Sequence, residues 1–199
     1  MRDLRGTAAG PPVPPPVLRF PAGHRVVISG LPGSGKSTLM RRTTAKEGVL
    51  TLLDSQEVRD GFARRLPRWL PYAAYRPAVR FAHYARLRRA LRSTAGVLLH
   101  DSGRTGVVRR WLARDARRRG LGYHLVLLDV PAATALAGQT ERGRGVSRYA
   151  FGRHQRALVL LLGEVAAGRL PAGCASVTLL DRDAAEALGE IVFGGEPPD

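Results

Sequence analysis

The most specific chemistry in this chain lies in one stretch, Gly30-Leu31-Pro32-Gly33-Ser34-Gly35-Lys36-Ser37, followed by Thr38. It fits the spacing G-x-x-x-x-G-K-[ST] at every position, and each residue type has a task in holding phosphate oxygens. The glycines allow backbone conformations closed to other residues, so successive N–H groups can converge on one anion. A helix beginning at Lys36 would turn its positive end toward the same place. The Lys36 ammonium can reach β- and γ-phosphates, and the Ser37 hydroxyl can ligate Mg²⁺. The expected ligands are therefore ATP and Mg²⁺. ATP is preferred to GTP because no guanine-specifying N-K-x-D follows.

Two carboxylates fall where such a site needs them. Asp101 ends the apolar run "VLLHD" and can hold Mg²⁺ through water or polarise an attacking group; the alternative is an ordinary strand-end turn. Asp54 ends "VLTLLD" and is either a site acid or the N-cap of the helix after it.

These residues need elements to carry them. Short apolar or β-branched runs at His24–Ser29, Val49–Leu53, Val97–His100, Tyr123–Val130 and Ala175–Leu180 predict five strands. Helices are expected from Lys36 to a stop at Gly48, from Ser55 to a break at Pro67, and over Ala78–Ala95. Others follow over Gly106–Gly120, from Pro131 into "ERG", over Tyr149–Gly168, and over Asp183–Phe193 at the end of the chain. Alternation of this kind implies an α/β fold, a three-layer α/β/α sandwich around a five-stranded parallel sheet. The loop, Asp54 and Asp101 all follow strands directly and so belong at one edge of it.

The ordered set "GLPGSGKST", "LLDSQEVR", "VLLHDSG", "LVLLDVP" and "ERGRGVSRYAFGRH" resembles the small P-loop kinases. That group holds shikimate and gluconate kinases, chloramphenicol phosphotransferase, zeta toxins and the kinase domain of polynucleotide kinase. The resemblance runs from about Arg25 to Phe193 and names a group rather than a substrate. It implies a P-loop NTPase fold and a kinase-like domain over 23–199, with a helical acceptor cap at 58–95 and a lid at 139–152. Residues 1–22, with "PPVPPP", are expected to be a disordered proline-rich leader.

The resemblance also implies roles. In those kinases an acid after the second strand faces the acceptor hydroxyl, and an arginine a few residues on binds the acceptor. Asp54 and Arg59 take those places here, with Arg104 as a second acceptor-binding candidate. The match departs at Gln56, where one branch of the group has its acid and another its second Asp, so Glu57 and Asp60 stay open as bases. Arg142 and Arg144, with Arg148 behind them, correspond to lid arginines that neutralise charge during transfer. "LLDRDAAEAL" lies where such folds often cradle adenine. The activity implied is transfer of the γ-phosphate of ATP to a hydroxyl of a small molecule. The alternatives are a 5′-hydroxyl polynucleotide kinase and an ATPase or switch acting through a partner protein.

Composition bounds the rest. At 199 residues one domain is expected. A single cysteine, Cys174, excludes an internal disulfide framework. The N-terminal residues contain no apolar core of a secretory signal, and no apolar run is long enough to span a bilayer, so a cytoplasmic protein is expected. The net charge is +16, and of the 32 basic residues all but Lys36 and Lys46 are arginine. Such a surplus can attract nucleic acid, but Arg, Ala, Gly and Pro together also fit a GC-rich coding sequence. The arginines are scattered with few aromatics between them, so nucleic acid is not favoured as the partner. Oligomeric state is not legible.

Overall fold

A computed structural model describes residues 1–7, 14–43, 50–101, 106–140 and 147–194. In chain order the elements are β1 (Arg2–Asp3), β2 (Val17–Phe20), β3 (Arg25–Gly30), α1 (Lys36–Thr43), β4 (Leu50–Leu53), α2 (Ser55–Arg65), α3 (Tyr72–Ala90) and β5 (Gly96–Asp101). Then come α4 (Gly106–Arg119), β6 (Tyr123–Leu128), α5 (Ala132–Thr140), α6 (Arg148–Ala166), β7 (Cys174–Leu180), α7 (Arg182–Ala187) and β8 (Glu190–Phe193).

The central strands are continuous apolar runs because both faces of the sheet are covered. Alternate residues go to opposite faces. Val27, Leu99, Leu125 and Leu127 join one core with Leu87 of α3, Leu112 of α4 and Leu158 of α6. Val26, Ile28, Leu98 and Val126 join the other, with Leu39 and Met40 of α1 and Ala184 of α7. The sheet is parallel throughout, in the order β1-β7-β6-β3-β5-β4.

The α/β/α layering holds, but the sheet has six strands rather than five. The added strand is β1, whose two residues pair with Thr178 and Leu179 at the edge of β7. Its pairing is backbone only, so no apolar pattern announces it. Arg5 pins it by donating to Asp129 at 2.7 Å, and the Gly6 N–H donates to Asp181 at 2.7 Å.

The leader expected to be disordered also contributes β2, which pairs in parallel with β8 as a second, two-stranded sheet. Leu18 and Phe20 alternate inward and are buried in the second core. For the same reason the expected closing helix is shorter: α7 ends at Ala187, and Glu190–Phe193 is strand. The Gly189 N–H donates to Pro16 O, which fastens the start of β8 to the start of β2. Helix α3 begins at Tyr72, before the expected Ala78, and runs through Pro77 at the sacrifice of one backbone bond. Among the described residues, no helix is long and apolar enough to cross a membrane.

One buried ion pair ties α4 to the start of β3. Arg25 Nε donates to Asp115 at 3.1 Å, and its other nitrogens donate to the carbonyls of Gly23, Ser93 and Ala95. Guanidinium donors are thereby satisfied inside the protein, as a buried charge requires.

Candidate active site at the phosphate loop

The chain leaves β3 at Gly30 with β5 on one side and β6 on the other. It goes first to β4, beyond β5, and only later crosses to β6. Such a reversal of winding opens a crevice outside the carboxyl ends of the strands. The loop fills this place, and α1 starts at Lys36.

Two glycines shape the loop for different reasons. Gly35 has φ +88° with nothing within 4 Å of where a Cβ would stand, so its requirement is conformational. Gly33 has φ +88° and a Cβ there would lie 2.0 Å from Ala135 O. The contact is mutual, since a Cβ on Gly138 would lie 2.7 Å from Gly33 O. Loop and α5 thus meet backbone to backbone, and Gln139 Nε2 adds a hydrogen bond to Pro32 O at 3.0 Å.

Lys36 is buried at 4% exposure. Its ammonium donates to Gly30 O at 2.9 Å, to Leu31 O and to Ser34 Oγ at 3.3 Å. The cation therefore rests on the loop's own oxygens, within the ring of groups that would face a phosphate.

Ser37 is also buried, and its hydroxyl is among the groups that lower the Asp54 carboxyl. Asp54 follows β4, is 6% exposed and accepts from the Gln56 N–H at 2.8 Å as the N-cap of α2. The two sequence alternatives for Asp54, cap and site acid, are thus compatible. Asp54 Oδ1 also lies 3.4 Å from His100 Nδ1, whose ring faces Ser55 Oγ at 3.5 Å. Burial by itself pushes the Asp54 carboxyl up. The His100 imidazole, the Gln56 N–H and the Ser37 hydroxyl outweigh it and bring the carboxyl down to about 2. Asp54 is a fixed anion next to the loop at neutral pH.

The backbone of Asp101 ends β5, in register with Ser29 of β3, one residue before Gly30. Arg59 lies on α2 with its guanidinium 4.1 Å from the ring centre of Tyr72 on α3, and Phe62 stacks on Tyr75 beside it. The structure thus brings Lys36, Ser37 and Asp54 together and puts Arg59 on the neighbouring α2–α3 hairpin. Arg148 is exposed at the start of α6. Arg104, Arg142 and Arg144 lie outside the described residues.

A cleft of about 190 Å³ opens on the other side of the loop. Gly35, Thr38 and Arg42 line it from the loop and α1, Thr134 from α5, and Arg182 and Glu186 from α7. Arg42 bonds to Ala185 O and Leu188 O, which locks α1 to α7 at its back. The segment "LLDRDAAEAL" therefore borders the loop.

Sequence reasoning missed three contributors. His100 stood in plain view, a titratable side chain directly before Asp101, but its contact with Asp54 comes from the pairing of β4 with β5. Gly138 and Gln139 carry no motif of their own, and only the approach of α5 to the loop gives them meaning.

Residues 26–159 match the AAA_33 family, described as an AAA domain. No curated protein matches the chain in sequence. Among solved structures, a chain of the PezAT chromosomal toxin–antitoxin system of Streptococcus pneumoniae is similar with a TM-score of 0.56. It is 15% identical, over 81% of this chain and 69% of that one. A putative kinase from Chloroflexus aurantiacus is similar with a TM-score of 0.54 and 14% identity, over 83% of this chain and 88% of that one.

Proposed function

The chain belongs to the AAA_33 family of AAA domains, and from that premise we propose that it is an ATP-dependent phosphotransferase. It moves the γ-phosphate of ATP to a hydroxyl of a small-molecule acceptor. The observation that carries this reading is the meeting of Lys36, Ser37 and Asp54 at the carboxyl edge of the sheet, beside a cleft of about 190 Å³. The likeness in fold to a putative kinase supports it.

The backbone of Gly33 to Thr38 and the start of α1 hold the phosphates. Lys36 exchanges its bonds to Gly30 O, Leu31 O and Ser34 Oγ for phosphate oxygens, a swap of one set of acceptors for a more negative one. Ser37 and the Asp101 carboxylate would hold Mg²⁺, and the hard oxygen donors of Ser37 and neighbouring Asp54 suit that ion. When bound, Mg²⁺ supplies neutralisation of phosphate charge. Asp54 orients the acceptor hydroxyl. With its carboxyl brought down to about 2 it is a weak proton acceptor, so its work is positional and electrostatic in the state described. Arg59, on the α2–α3 cap, and Arg104 hold the acceptor. Arg142 and Arg144 neutralise charge that develops in transfer.

Calorimetric titration with Mg·ATP tests the donor half of this reading. Wild-type protein is expected to bind, and Lys36→Ala to bind at least about ten-fold more weakly, as loss of a charged phosphate partner implies. Equal binding by both proteins would overturn it.

A further inference from the structure

We propose that the groove between α3 and α4 binds single-stranded nucleic acid by its phosphates, at the end of the sheet opposite the phosphate loop. The inference does not depend on phosphoryl transfer.

The groove has a volume of about 250 Å³, and its lining includes Arg88, Arg92, Trp111, Arg114, Asp115 and Arg118. Four arginines that the sequence scatters over two helical segments line one concavity, and this convergence reverses, for the groove, the sequence expectation against nucleic acid. Among the described residues none of the four forms an ion pair, and the one carboxylate in the lining, Asp115, is taken by buried Arg25 at 3.1 Å. Among the described residues the local charge is therefore strongly positive.

The arrangement is ordered as well as charged. Arg114 and Arg118 are one turn apart on α4, while Arg88 lies in the last turn of α3 and Arg92 just beyond its C-cap Leu91. The α4 pair is therefore about 5–6 Å apart at Cβ. That suits successive phosphates of an extended strand, which present one charge per nucleotide along each strand. Arg88 is held 5.0 Å over the Trp111 ring, and Tyr84 meets that ring edge-on at 5.5 Å. The stack limits the rotamers Arg88 must give up on binding. Arg88 also occupies one face of the indole, which leaves charge as the groove's main means of recognition.

Position separates this groove from the loop. α3 ends just before β5 begins, and the second half of α4 leads back to the start of β6. The loop lies at the other ends of these strands, roughly 20 Å away for six residues at about 3.3 Å each.

Fluorescence anisotropy of a short, labelled, mixed-sequence single-stranded oligonucleotide, measured over a range of salt concentrations, tests the proposal. The double variant Arg114→Glu/Arg118→Glu is compared with Arg64→Glu/Arg65→Glu, which makes the same charge change on exposed positions of α2. The groove variant is expected to bind at least about ten-fold more weakly. It should also lower the slope of log affinity against log salt by about 1.4, at about 0.7 for each phosphate no longer neutralised. The α2 variant is expected to change affinity less than about three-fold, since neither of its positions lines the groove. Mg·ATP binding and thermal unfolding report whether each variant is folded, and Arg88→Gln/Arg92→Gln replaces the first if it is not. Equal weakening by both double variants would mean diffuse attraction, and no weakening would put binding elsewhere. Displacement of the oligonucleotide by inorganic phosphate at equal phosphate concentration would mean a site for free phosphate. Each of these three results overturns the proposal.

Discussion

Asp54 shows how one side chain can serve local structure and chemistry together. Its carboxylate caps α2 through the Gln56 N–H and faces His100, and the Ser37 hydroxyl helps to lower it. Asparagine keeps a capping oxygen but removes the charge. Asp54→Asn is therefore expected to lower kcat at least about a hundred-fold while Mg·ATP affinity changes only a few-fold, because the missing interaction acts on transfer rather than on the nucleotide. Steady-state kinetics with calorimetry check the split. The sign of its pH effect also follows. The folded pKa, about 2, lies below the ordinary 3.8, so the carboxylate stabilises the fold above pH 3.8 and loses that contribution as pH falls toward 2. No acid limb from Asp54 is expected in the rate profile at neutral pH.

Elements position these residues through close contacts with no sequence motif. The backbone approach of α5 to the loop is the clearest. Gly138→Ala would put a carbon 2.7 Å from Gly33 O, forcing α5 and the loop apart. A loss of about 1–3 kcal/mol in stability is expected, as for other overpacked sites, together with weaker Mg·ATP binding, by thermal melts and calorimetry. The small β2–β8 sheet supplies a second test. Phe20 is 5% exposed in the second core, so Phe20→Ala should cost about 3–5 kcal/mol in denaturant unfolding; a disordered leader would lose nothing. The large strands were legible because two-sided burial demands unbroken apolar runs. The loop was legible because phosphate binding restricts residue types at fixed spacing. β2 and β8 were not, because Pro16 and Gly189 stand directly before them and each becomes a strand only by pairing with the other. β1 is legible to nothing but a partner backbone. His100 and Gly138 were missed for the same reason, since their roles come from neighbours far away in the chain.

At the scale of the whole molecule, charge and buried histidine set the response to solution conditions. At the start of the strands, His24 Nδ1 lies 2.7 Å from His124 Nε2, and His124 Nδ1 lies 2.8 Å from Ser176 Oγ. Burial, with His24 beside it, pushes His124 from 6.5 down to about 4. The unfolded chain therefore takes up a proton more readily between those values. Stability present above pH 6.5 is lost as pH falls toward 4, by about 3 kcal/mol in full from this group. Thermal melts across that window should show a falling Tm, and His124→Gln should flatten the slope. This window lies above the Asp54 window, so the two losses are separable. The central claim concerns the fate of the γ-phosphate, and one measurement addresses it directly. Protein with γ-labelled ATP and Mg²⁺ is offered a pool of small hydroxyl compounds and, in parallel, a pool of 5′-hydroxyl oligonucleotides, with Lys36→Ala as the blank. Label is expected on a small molecule, dependent on Lys36 and reduced by Asp54→Asn. Label on oligonucleotide ends, or only free phosphate from wild-type protein, would contradict the assignment of a small-molecule phosphotransferase.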